Sequence, residues 1–344
     1  MRGAMYNGVK KDVTLEQFEK PVVKPNTVLI KNVTAGICGT DLTAYLYDGD
    51  AVGIHSGNQF GHEMIGIIEE VGEGAEEFTL GTRVFVNPMC FRNIPEGWTP
   101  TMSADMAGAF SEYVLVEKPE WDVTLFKIPE SVDSIKAALT EPLSVSMNGV
   151  LLSGATKGSK AIVYGAGPIG LGALAGLRFM GVEDIIVADT QPFRLDKVKE
   201  MGGIPCDVTK TPINDFAKEL WGCGTNNFGE PTNLADVVID CAGHPKAMRD
   251  FLDGAKMDSK FICIALGGTL EQTSVAEICL KVVQLIGSCG YTSKTVKTVL
   301  SMLESDIDVT PMITSVYGLS DVTIAFKEAA NGSKNIKVII EHSK

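Results

Sequence analysis

Residues 161–181 read AIVYGAGPIGLGALAGLRFMG, and no other stretch limits the fold as much. From Ala161 to Leu177 the residues are apolar or glycine, and these 17 positions reach the short limit for a membrane-spanning helix. Five glycines and Pro168 interrupt the stretch, and Arg178 follows at once. A buried strand, a tight turn and the start of a helix fit it better. Gly165, Gly167 and Gly170 then stand at the spacing G-x-G-x-x-G. The first permits the turn, the second lets backbone approach a pyrophosphate, and the third lets helix and strand pack closely. The helix N-terminus faces the phosphates.

A chain with 36 glycines produces this spacing by chance, so the context carries the reading. The next apolar run, DIIVAD, ends in Asp189. That is roughly twenty residues past the last glycine, where a carboxylate meets the ribose hydroxyls and repels a 2′-phosphate. The reading is NAD(H) rather than NADP(H). Arg194 is the nearby residue that could hold a 2′-phosphate instead. Pro168 and Ile169, between the glycines, and Leu266, at the end of KFICIAL, are assigned to the same cofactor surface. The plain alternative is an α/β domain that binds no dinucleotide.

Two domains are expected of 344 residues. The net charge of −13 argues against nucleic acid or an anionic membrane surface as partner. The start, MRGAMYNGVKK, has no apolar h-region, and the eight cysteines include no CxxC pair. Reduced thiols in the cytoplasm are therefore expected. The first half is dense in short β-like runs, among them VLIKNVTAG, MIGIIEEVGEG, TRVFVNP and FSEYVLVE. After EPLSVSMNGVLLSGA, which reads as a helix, the runs AIVYG, DIIVAD, ADVVID and KFICIAL alternate with helix-length segments. Buried parallel strands with helices on both faces look like this. PMITSVYGL and NIKVIIEH return to strands.

Three clusters carry metal chemistry. AGICGTD sets Cys38 between glycines, FGHEMIG sets His62 beside Glu63, and LTEPLSV places Glu141 just before the α/β part. Thiolate, imidazole and carboxylate together suit zinc. Each also has a plain reading: a packed thiol, a satisfied histidine, and a carboxylate in the first turn of a helix. Residues so far apart form no local motif, so spacing leaves the choice open.

Taken in order, GICGTD, GHExxGxxxxVG, GAFSEY, EPLSV and GAGPIG resemble the zinc-dependent medium-chain dehydrogenases. The resemblance covers essentially the whole chain and is nearest to the polyol branch of sorbitol, galactitol-phosphate and threonine dehydrogenases. It implies an α/β protein in which a GroES-like β domain (1–145 and 287–344) is interrupted by a Rossmann doubly wound parallel-sheet domain (146–286). It implies one catalytic zinc with Cys38, His62 and Glu63 as ligands, and Glu141 as a fourth ligand or as the carboxylate holding the zinc-bound water. Asp41 matches the acid that fixes the His62 imidazole, and Thr40 the hydroxyl that takes the substrate proton. The implied reaction moves a hydride between a secondary alcohol and NAD, giving the ketone. A polyol, cyclitol or hydroxy amino acid is favoured, and a bulky apolar alcohol such as a hydroxysteroid competes. A homodimer or homotetramer is implied through the edge strand near VVQLIGSCGY. A non-catalytic relative or a zincless quinone reductase would have little reason to keep this ligand set.

Two departures stand out. Many relatives hold a structural zinc with four cysteines, but NPMCFRNIPEGWTPTMSADMAGAF contains only Cys90. One zinc per chain is expected, with the loop 88–108 serving substrate choice or subunit contacts, and Phe91 and Trp98 packing or walling the substrate. A proton-relaying histidine of many relatives is Thr43 here. The relay then falls to cofactor ribose and water, or to Tyr45 or Tyr47.

Overall fold

The computed structural model describes residues 1–88, 108–267 and 273–344. The expectations on Cys90, Phe91 and Trp98 lie outside the described residues. The chain divides into two compact units. The first comprises Met1–Pro142, Tyr291–Glu304 and Ile313–Lys344, and the second Leu143–Gly290 and Ser305–Met312.

The first unit is organised around the strand Thr27–Gly36, whose β-branched residues suit a pleated sheet buried on both sides. Along one edge it pairs antiparallel with Glu63–Val71, from Val28 opposite Val71 to Gly36 opposite Glu63. Two strands share its other edge. Tyr113–Glu117 covers Thr27 to Lys31, and Lys337–Glu341 covers Thr34 to Gly36. Arg83–Val86, Leu125–Lys127 and Ile313–Gly318 complete a seven-stranded sheet. Two register shifts in the Thr27–Gly36 pairing bend the strand. Phe60, Phe110 and Phe326 fill the core, with ring centroids 5.1–5.4 Å apart and no exposure. Phe326 is delivered by the helix Val322–Ala329.

In the second unit all six strands run parallel. In spatial order they are Ile204–Asp207, Asp184–Asp189, Lys160–Tyr164, Val237–Asp240, Lys260–Cys263 and Gln284–Gly287. Numbered along the chain this is 3-2-1-4-5-6, the doubly wound order of dinucleotide-binding folds. The apolar stretch from Ala161 splits as expected, into the strand Lys160–Tyr164 and the 12-residue helix Pro168–Phe179. Among the described residues no helix is long and apolar enough to cross a membrane. Ile204–Asp207 had no legible strand signal because Pro205 interrupts it. The proline is tolerated because the strand lies at the sheet edge.

His342, just past Lys337–Glu341, donates from Nε2 to the Ala109 carbonyl at 3.0 Å, while its buried Nδ1 has no partner. Burial lowers its pKa from 6.5 to about 4. The unfolded chain therefore binds this proton between those pH values and the folded chain does not. The associated stability is full above pH 6.5 and is lost as pH falls toward 4. The whole shift corresponds to ~3 kcal/mol, and residual ring exposure reduces it to ~2 kcal/mol. His342→Gln keeps a donor for Ala109 and cannot titrate. In urea melts at pH 7.5 and pH 4.5 the variant should lose ~2 kcal/mol less stability than the parent on acidification. Equal losses would show that His342 is not a source of acid sensitivity.

Candidate metal and nucleotide sites

Cys38 is the N-cap of the helix Gly39–Leu46. Its N–H donates to Asp41 Oδ2 at 2.8 Å, and the Thr40 N–H donates to its sulfur at 3.5 Å, a reciprocal capping box. The sequence GICGTD thus folds locally to hold the sulfur at a helix start. Thr40 Oγ1 lies 3.7 Å from the same sulfur. Glu63 opens the neighbouring strand with His62 directly before it, and the pairing of Glu63 with Gly36 carries both toward Cys38. One ligand atom from each of Cys38, His62 and Glu63 falls within 4.8 Å of the other two. Glu141 is not part of that group. It is buried in the first turn of the helix Thr140–Ser153, and its Oε1 accepts from the Tyr291 hydroxyl at 3.2 Å.

The pocket holds more acidic groups than internal cations. Asp41, Glu63 and Glu141 are all buried, and Lys337 is the lone buried lysine among the described residues. Burial pushes Asp41 up to about 6 and Glu141 up to about 7. Burial also raises the Cys38 thiol. For His62, burial opposes the charged ring, but Cys38, Asp41 and Glu141 outweigh it and hold its pKa well above 6.5. The His62 Nδ1 and Asp41 Oδ1 are buried with no hydrogen-bond partner and stand 4.0 Å apart. A thiol, an imidazole and a carboxylate converging in a buried pocket rich in carboxyl groups fit a divalent cation that accepts S, N and O ligands, which is the preference of zinc.

Lys337 is the residue that reading the sequence missed. Its Nζ donates to Glu63 Oε1 at 2.8 Å and Oε2 at 2.7 Å, and to the Ile37 carbonyl at 3.0 Å. A lysine directly before the apolar run VII in the strand KVIIE was the available signal, because such a charge is buried only when paired. Tyr291, fully buried against Glu141, was also missed.

In the second unit the glycine fingerprint has the expected geometry. Gly165 turns the chain at φ +88, a region closed to most side chains. Gly167 caps the helix Pro168–Phe179, with Pro168 and Ile169 in its first turn. A Cβ on Gly170 would lie 1.7 Å from the Gly165 carbonyl oxygen, so only glycine fits there. Asp189 ends its strand beside this turn and accepts from the N–H groups of Ala166, Thr190 and Gln191 at 2.7–2.8 Å. Arg194 Nη1 is 3.9 Å from Asp189 Oδ2. Leu266 is 94% exposed at the carboxyl end of the sheet. It lines a cavity of about 250 Å³ with Asp240, Gly243, His244 and Ala265.

The chain is similar to known dehydrogenases over its whole length. Residues 24–130 match the alcohol dehydrogenase GroES-like domain, and residues 168–305 match the zinc-binding dehydrogenase domain. The chain is 28% identical to (R,R)-butanediol dehydrogenase of Bacillus subtilis, covering 99% of each chain. A crystal structure of 2R,3R-butanediol dehydrogenase from that organism superposes with a TM-score of 0.85 at 26% identity, again covering 99% of each. Sorbitol dehydrogenase 1 of Saccharomyces cerevisiae is 27% identical, over 96% of this chain and 95% of the relative. An E. coli alcohol dehydrogenase complexed with NADH superposes with a TM-score of 0.82 at 26% identity, covering 99% of each. Two family domains matched in order, and full-length relatives that act on diols and sugar alcohols, lead to one conclusion: the chain belongs to the zinc-dependent medium-chain dehydrogenases, in their polyol branch.

Proposed function

We propose that this chain interconverts a secondary alcohol and its ketone, using one zinc ion and NAD(H). The observation that carries the reading is the convergence of Cys38, His62 and Glu63 in a buried pocket rich in carboxyl groups. Cys38 and His62 hold the metal, Glu63 contributes a carboxylate oxygen, and Glu141 faces the same pocket from its Tyr291 hydrogen bond. When bound, zinc supplies a Lewis acid that polarises the alcohol or ketone oxygen. Asp41 Oδ1 stands 4.0 Å from His62 Nδ1, placed to orient the imidazole so that Nε2 is left for the metal. Thr40, beside the Cys38 sulfur, would relay the substrate proton, its hydroxyl accepting that proton and releasing its own toward cofactor ribose and water. The Tyr45 ring is buried edge-on against Phe326, which argues against a place for it in the relay. Thr43 donates to the Gly39 carbonyl at 3.0 Å. Tyr47 remains exposed.

NAD(H) binds on the second unit, its pyrophosphate over Gly165, Gly167 and Gly170 and its adenosine ribose on Asp189. Support comes from the turn geometry and from the NADH-bound relative. The substrate class is a small polyhydroxylated or amino-substituted secondary alcohol, as the names of the relatives indicate. A hydroxysteroid in the same assay panel tests the apolar alternative. The protein assembles as a homodimer or homotetramer. Gln284–Gly287 ends the sheet with one partner strand, and the adjoining helix Val275–Lys281 buries none of its residues. Its Val275 and Leu280 are 75% and 55% exposed. An apolar edge of this kind is normally covered.

Elemental mass spectrometry of purified protein should give about one zinc per chain, and Cys38→Ser or His62→Gln should each lower that by about tenfold or more. Zinc unchanged in both variants would refute the ligand assignment. The parent should prefer NAD over NADP, and Asp189→Ser should reduce the kcat/KM ratio by about tenfold or more, through loss of ribose hydrogen bonds to a charged group. An unchanged ratio would remove Asp189 from cofactor choice. By light scattering, Val275→Glu with Leu280→Glu should convert the oligomer to monomers, because two buried like charges oppose association at the edge. An unaltered mass would place the interface elsewhere.

A further inference from the structure

Lys337 and Glu63 lie on strands that do not touch. The strand Thr27–Gly36 runs between them, with Gly36 in line with Ile339 on one side and Glu63 on the other. The ladder continues through the Ile37 N–H to the Val338 carbonyl at 3.0 Å, which brings Lys337 level with Cys38. The ion pair closes across Gly36 because no side chain stands there. A Cβ on Gly36 would lie 2.0 Å from Glu63 Oε2. Lys337 is 1% exposed, and its three N–H groups are all used, two on Glu63 and one on the Ile37 carbonyl. Each Glu63 oxygen therefore gives one lone pair to the ammonium and keeps another for the metal.

We propose that Lys337 is a positioning residue that sets how tightly this chain holds its zinc, by competing with the metal for the Glu63 carboxylate. In the metal-free chain it neutralises Glu63, so the pocket stays assembled without a bound cation. In the metal-bound chain it draws charge from the oxygen that faces the ion, and the site is weaker than its ligands alone would make it. This inference rests on the zinc reading above.

The test measures zinc affinity by competition with a chromophoric chelator, on metal-free protein carrying Lys337→Met, Glu63→Gln, both or neither. Lys337→Met should bind zinc at least about tenfold more tightly than the parent, and its melting temperature should rise more on zinc addition, because its metal-free form leaves Glu63 buried and unpaired. The tightening should vanish in the Glu63→Gln background, the interaction that a double-mutant cycle isolates. Affinity unchanged or weakened by Lys337→Met would overturn the proposal. So would equal tightening with Gln at position 63, which would make Lys337 a general repulsive charge. If Lys337→Met does not fold without metal, the double variant against Glu63→Gln decides. A difference under about threefold supports competition through the carboxylate, and about tenfold or more refutes it. Absence of zinc binding in the parent would instead overturn the zinc reading itself.

Discussion

The ion pair between Lys337 and Glu63 is the contact around which the candidate metal pocket is built. Each partner is buried, and either alone would leave an uncompensated charge out of reach of water, at a cost of several kcal/mol. Together they join strands on opposite sides of Thr27–Gly36. Cys38 stands two residues past the end of that central strand, and His62 directly precedes the strand that begins with Glu63. The two ligand-bearing segments are thus fixed to one sheet corner by backbone pairing. The helix cap then aims the sulfur, and Asp41 turns its two oxygens to different tasks, one on the Cys38 N–H and the other toward His62.

The second unit shows a different economy. Its phosphate-facing turn carries no side-chain charge of its own. Positive φ at Gly165, the close approach permitted by Gly170, and the free N–H groups at the start of Pro168–Phe179 do the work through backbone alone. This is how a chain with a net charge of −13 can receive an anionic dinucleotide. Asp189 is tied to that turn through the Ala166 N–H. The carboxylate is therefore preorganised, at the cost of sharing its lone pairs with the backbone.

Much of this was legible in the sequence for local reasons. The glycine spacing and the apolar runs AIVYG, DIIVAD, ADVVID and KFICIAL report on contacts within a few residues of themselves, and the structure places strands at all four. The metal pocket was legible only through family resemblance. Cys38, His62 and Glu141 are distant in sequence, and no spacing rule joins them. Lys337 escaped because its partner lies 274 residues away, and Tyr291 because its partner lies 150 residues away. Each reads as an ordinary surface or core residue until the sheet order is known. Ile204–Asp207 escaped for the opposite reason: a local signal, Pro205, argued against a strand that edge position permits.

The edge of Thr27–Gly36 that is divided between Tyr113–Glu117 and Lys337–Glu341 also orders events during synthesis. The first strand of that edge is translated before the second unit and the other after it. Domains complete themselves roughly in the order in which they leave the ribosome. The central strand must therefore wait, half paired, while the whole second unit is made and folded. For that interval Cys38, His62 and Glu63 exist without the Lys337 ammonium that balances Glu63, on a nascent chain whose buried acidic groups are open to water and to any metal ion present.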